Sequence, residues 1–182
     1  MRDMYRMHAR YFVRDELFET LDKFQKDTDR IGTHLYQNGG KYEGQWRGGF
    51  RWGVGKMTWA DGASYKGDWE MGYASGRGVF IDCLGNKYDG EFKLSMANGT
   101  GTYTNTLGAV YEGQWLRDMQ HGKGSEKWAE SGSIFTGNFF EGLRNGYGIW
   151  VHEGKRFEGN WVNNMMDGFG TMEWGVESSS KK

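Results

Sequence analysis

Proline is absent from this 182-residue chain, and cysteine occurs once, as Cys83. A lone cysteine allows no internal disulfide, whereas a small secreted domain of this size usually needs several, so an intracellular compartment is expected. Thirty-one glycines without proline and without a three-residue period exclude a collagen-like helix. No run of 18 apolar residues occurs, so no membrane-spanning helix is expected. The N-terminus lacks a continuous apolar segment, which argues against a secretory signal. Asp3, Asp15, Glu16, Glu19 and Asp22 argue against a mitochondrial presequence, which would be poor in acids. Charge of one sign is also lacking. Twenty-three Lys and Arg stand against 24 Asp and Glu, which gives no basic face for nucleic acid. Leu, Ile and Val are scarce, so a thick aliphatic core is not expected.

What the chain has instead is rings: 9 Trp, 10 Tyr and 11 Phe. They fall in a repeat. Tyr42-Glu43-Gly44-Gln45-Trp46 recurs with Tyr65, Gly67 and Trp69, then with Tyr88, Gly90 and Phe92. It recurs again with Tyr111, Gly113 and Trp115, with Phe135, Gly137 and Phe139, and with Phe157, Gly159 and Trp161. The period is about 23 residues, a spacing typical of one supersecondary unit per repeat. A Gly-x-Gly pair follows eleven residues after each first ring, at 53/55, 76/78, 99/101, 122/124, 146/148 and 168/170. Length changes in the fourth and fifth units fall near Glu130-Ser131-Gly132 and Glu153-Gly154, where turns tolerate them. A half unit, Gly32 to Gly39, precedes the first full one.

Residues two apart in a strand share a face. Tyr42, Gly44 and Trp46 therefore point one way, and Glu43 and Gln45 the other. Met57 and Trp59 continue the ring face on the second strand. The expected fold is mainly β: an elongated, twisted, single-layer antiparallel sheet of stacked hairpins. Thirteen strands at about 4.8 Å spacing give a strip roughly 60 Å long. The first edge strand requires cover against pairing with another chain. Ser95 and Asp118 stand where other units carry Gly49, Gly72 or Gly142, and Glu126 stands where others carry Met57, Phe80, Tyr103, Trp150 or Met172. Local irregularity is expected at these three sites.

Residues 1–31 break the pattern. Val13, Leu17, Leu21 and Phe24 recur at helical spacing with Phe18 beside them, which predicts an amphipathic helix. It serves either as a lid on the first strands or as a docking or dimerising helix. The array then spans 32–174, and 175–182 is expected to be a flexible tail.

No catalytic motif emerges. Gly122-Lys123-Gly124-Ser125 is a repeat turn by position rather than a phosphate loop. His8, His34, His121 and His152 are scattered, and His152-Glu153 lacks the second histidine of a zinc helix. Cys83 is assigned a structural role. Neither an enzyme, nor a metal, nor a cofactor is expected.

The strings Tyr-x-Gly-x-Trp and Gly-x-Gly at a 23-residue period resemble MORN repeats, the membrane occupation and recognition nexus family, over about four fifths of the chain. The resemblance implies a non-catalytic scaffold or adaptor. Members made of repeats alone are often parts of cilia, basal bodies, radial spokes and other cytoskeletal assemblies. The catalytic domains that accompany the repeats in some members have no counterpart in these residues. An aromatic groove would hold an extended or helical partner segment, with Trp52, Trp59, Tyr103, Trp128, Trp150 and Trp174 as contact candidates. The alternative is a peripheral phospholipid-binding module, although the basic residues are dispersed among acids rather than clustered. Self-assembly through an array end or the N-terminal helix, giving a homodimer, is a third possibility.

Overall fold

A computed structural model describes residues 29–175 together with Tyr11. The predicted N-terminal helix, with Val13, Leu17, Phe18, Leu21 and Phe24, and the predicted tail from 176 onward lie outside the described residues. Thirteen strands follow one another: β1 (Arg30–Leu35), β2 (Lys41–Arg47), β3 (Phe50–Thr58), β4 (Ser64–Glu70), β5 (Tyr73–Ile81), β6 (Lys87–Lys93) and β7 (Met96–Thr104), then β8 (Val110–Leu116), β9 (Met119–Lys127), β10 (Ile134–Phe140), β11 (Leu143–His152), β12 (Lys155–Val162) and β13 (Met165–Trp174). They form one open sheet in strict chain order, and every neighbouring pair is antiparallel.

The registers put thirteen glycines in one unbroken row across the sheet: Gly32, 44, 55, 67, 78, 90, 101, 113, 124, 137, 148, 159 and 170. A ring lies over each pair. A Cβ on Gly55 would stand 2.1 Å from the Tyr42 hydroxyl oxygen, and one on Gly78 2.5 Å from Tyr65 Cε2. The bare backbone is thus the floor on which the aromatic layer rests. Tyr42, Tyr65, Tyr88 and Tyr111 donate their hydroxyls to the carbonyls of Gln45, Asp68, Glu91 and Gln114 at 2.9–3.0 Å. The indoles of Trp46, Trp69, Trp115 and Trp161 donate to glycine carbonyls of the preceding strand pair at 3.0–3.3 Å. Each polar tip is therefore satisfied while its ring is buried. Burial pushes the phenols of Tyr42, Tyr65 and Tyr88 well above the usual tyrosine range.

Edge-to-face contacts join the repeats into one stack. Tyr42 meets Trp69 at 5.4 Å, Tyr65 meets Phe92 at 4.9 Å, and Tyr88 meets Trp115 at 5.1 Å. Tyr111 meets Phe139 at 5.0 Å and Phe135 meets Trp161 at 5.1 Å. Such pairs contribute roughly 0.5–1.5 kcal/mol beyond area burial, and here each one ties a repeat to the next.

The first glycine of each Gly-x-Gly has a different task. Gly53, Gly76, Gly99, Gly122, Gly146 and Gly168 all have positive φ, between 56° and 98°. They make bulges, and in the first four repeats a side chain accepts from the backbone N–H that the bulge leaves unpaired. Gln45 accepts from Val54 N, Asp68 from Arg77 N, Glu91 from Thr100 N and Gln114 from Lys123 N, at 2.8–3.0 Å. The polar residue three places after the first ring is thus a bulge cap as well as a solvent-facing group.

Two-residue hairpin turns join the strands within each repeat, with positive φ at both positions. Ser95 and Asp118 keep this geometry, at φ 63° and 66°, so the irregularity expected there is absent. They add a clamp. Ser95 N donates to the Ala74 carbonyl while Ser95 Oγ accepts from Ala74 N, and Asp118 pairs with Ala97 in the same reciprocal way. Asn164 does so with Arg144. Asp118→Ala should lower stability by about 2 kcal/mol, combining a lost buried hydrogen bond with left-handed strain. Asp118→Gly removes only the bond and should cost about 1 kcal/mol. Urea unfolding of both variants separates the two contributions.

Candidate functional site

Level with the tyrosine rings, a second row crosses all thirteen strands: His34, Tyr42, Met57, Tyr65, Phe80, Tyr88, Tyr103, Tyr111, Glu126, Phe135, Trp150, Phe157 and Met172. It is the spine of the ring face. Its members from β2 to β6 are buried, whereas Tyr103 and Trp150 are only half-buried and Met172 is exposed.

The six predicted contact residues divide. Tyr103, Trp128 and Trp150 are half-buried and pack against the core cluster, so all three lie on the ring face. Trp59 lies on the same face but is 8% exposed. Tyr11 covers it at 5.3 Å and itself lies 5.4 Å from Phe80, with the Tyr11 hydroxyl 3.4 Å from Cys83 Sγ. Trp174 ends β13, the open edge strand, and is 72% exposed. Trp52 does not join the others. It pairs in register with Gln45 and stacks under the Arg47 guanidinium at 4.5 Å, which places it on the polar face. Alternation along β3 sets this placement, since Arg51 and Met57 lie on the ring face and Trp52 is one residue out of step with them.

Two arginines lie among the rings. Arg51 is 3% exposed, stands 4.5 Å over Trp69 and donates to the Gly72 carbonyl. Arg144 lies 5.1 Å over Trp128 and 5.0 Å over Trp161, and burial lowers its affinity for its proton. Neither was among the expected contact residues. The available signal was a charged residue two places before the first glycine of a Gly-x-Gly pair, where other repeats carry Ala74 or Ala97.

Glu126 keeps the sheet register against Tyr111 and Phe135, so no irregularity accompanies it. The departure is chemical. Its side chain is 4% exposed, and burial pushes the carboxyl up to about 7, with Arg144 acting in the opposite direction. Its Oε1 has no hydrogen-bond partner among the described residues.

The polar face carries alternating charges, including Lys41–Glu43 and Lys87–Asp89 pairs at 2.8 Å. A shallow cleft there is lined by Arg77, Asp89, Thr102, Glu112, Gln114 and Lys123. Among the described residues no group of three His, Cys, Asp or Glu could hold a metal ion, and no helix is long and apolar enough to cross a membrane.

Comparison with curated proteins returns no match. The MORN repeat family model matches six times, at residues 42–64, 65–83, 88–106, 111–133, 135–152 and 157–177. These matches start at the six ring positions and cover most of the chain. MORN repeats are binding modules for protein or membrane surfaces, and this chain belongs to the MORN-repeat family.

Proposed function

We propose that the chain is a non-catalytic scaffold whose ring face binds an extended or helical segment of a partner protein, as a subunit of a cytoskeletal or ciliary assembly. The observation that carries this reading is the half-buried trio Tyr103, Trp128 and Trp150 on the ring face, between the closed rings of the first strands and the exposed edge at β13. Large rings with part of their surface still open are the usual anchors of protein interfaces. The assembly context rests on the family alone.

A pull-down from ciliated-cell extract tests it, with Trp128→Ala/Trp150→Ala as the comparison. Recovery of a defined set of cytoskeletal proteins by the native chain, lost in a variant with unchanged circular dichroism, is the expected result. Equal recovery by both would move the contact off the ring face. Phospholipid vesicles are not expected to retain the chain. The basic residues of the polar face alternate with acids, and clustered bases are what anionic membranes reward, by about 1 kcal/mol each. Salt-sensitive pelleting with anionic vesicles would reverse that expectation.

A further inference from the structure

The spine of the ring face is interrupted near its middle by one carboxylate. Glu126 sits between Tyr111 and Phe135, with Tyr103 and Trp150 the next residues along the row on either side. Its side chain is 4% exposed, and Oε1 accepts no hydrogen bond among the described residues. Arg144 attracts the carboxylate by its charge but makes no hydrogen bond to Oε1. Arg144 Nε and backbone N both reach Asn164 Oδ1, at 3.4 and 2.8 Å, and the guanidinium stacks between Trp128 and Trp161.

An ionised carboxylate that is desolvated and short of hydrogen bonds is costly, and the cost falls when a charged donor reaches it. An all-apolar ligand laid across Glu126 would seal that cost in. A ligand with a cation at this one place would remove it. The position therefore selects among partners rather than merely adding contact area.

We propose that the ring face takes a partner segment carrying one Arg or Lys where it crosses Glu126, flanked by apolar side chains that pack on Tyr103 and Trp150. This rests on the ring face being the binding face, and it names the partner's chemistry.

The test uses two synthetic Leu- and Phe-rich peptides, identical except for a central Arg or norleucine. Each is titrated into the full chain while the indole N–H signals of Trp128 and Trp150 are followed by NMR. The Arg peptide should bind the native chain at least about tenfold more tightly, as expected for a hydrogen bond to a charged group. In Glu126→Gln the ratio should fall to near one, while the norleucine peptide binds no more weakly than before. A ratio near one in the native chain, or a ratio unchanged in Glu126→Gln, overturns the proposal. If the norleucine peptide shifts the indoles without any Arg preference, only the cation is lost and the ring-face reading stands. If neither peptide shifts them, both fail. A preference that appears only in Arg2→Gln/Arg6→Gln/Arg10→Gln would assign Glu126 to the chain's own basic start, and would also overturn a partner cation.

Discussion

Glu126→Gln is expected to stabilise the protein at pH 8 and to leave it nearly unchanged at pH 4.5. The folded carboxyl titrates near 7, above its ordinary 4.5, because burial penalises the charged form. A folded-state value raised in an acid means that the native chain holds the proton more tightly than the unfolded chain. Stability from the neutral carboxyl is therefore complete below about 4.5 and is lost as pH rises through about 7. At 1.36 kcal/mol per pKa unit the loss reaches about 3 kcal/mol. Glutamine cannot ionise, so the native-minus-variant difference isolates this residue from every other titration. Urea unfolding of both chains at the two pH values measures it. An identical difference at both would mean that Glu126 ionises as freely in the fold as in the unfolded chain. A gain in stability accompanied by a loss of Arg selectivity would mark Glu126 as a binding feature retained at the expense of stability.

Gly78→Ala is expected to be the more damaging change. The added carbon would stand 2.5 Å from Tyr65 Cε2. The ring cannot give way, because Tyr65 is fully buried, bonded through its hydroxyl to the Asp68 carbonyl, and packed edge-on against Trp69 and Phe92. Moving it disturbs two repeats at once. A loss of about 3 kcal/mol or more is expected, at the upper end of overpacking costs. Gly62→Ala is the matched control. Its φ is +91° and nothing lies within 4 Å of the new carbon, so only backbone strain of about 1 kcal/mol is at stake. Near-ultraviolet circular dichroism should change in Gly78→Ala and not in Gly62→Ala. Equal losses in the two would show that conformation rather than ring contact governs the glycine row.

The strand pattern, the ring face and the turn positions were legible because alternation and the repeat period act on neighbouring residues. Tyr42, Gly44 and Trp46 can be placed on one face from spacing alone. Three features were not legible, and each depends on a partner in another strand. Ser95 and Asp118 read as departures from glycine, yet they bond back to Ala74 and Ala97 about one repeat earlier. Gln45 and its equivalents looked like ordinary surface residues, although an acceptor recurs at that place in all six repeats as Gln45, Asp68, Glu91, Gln114, Asn138 and Asn160. Glu126 was visible as an exception, but its burial and unpaired oxygen follow only from what surrounds it. Trp59 is a separate case, because the ring that covers it, Tyr11, comes from outside the repeats.

Strand order in this sheet is chain order, without a single crossover. Each hairpin therefore finds its pairing partners within a few dozen residues of itself. Such a chain can acquire structure during synthesis as successive repeats emerge, each new pair of strands adding to an edge that is already formed. Closing only short loops favours fast folding despite the all-β composition. Loss of structure should run the same way in reverse, fraying inward from whichever edge is less well held. The thirteenth strand, with Met165, Phe169 and Trp174 exposed, is where hydrogen exchange should be fastest, and the strands around Tyr65 and Tyr88 are where it should be slowest.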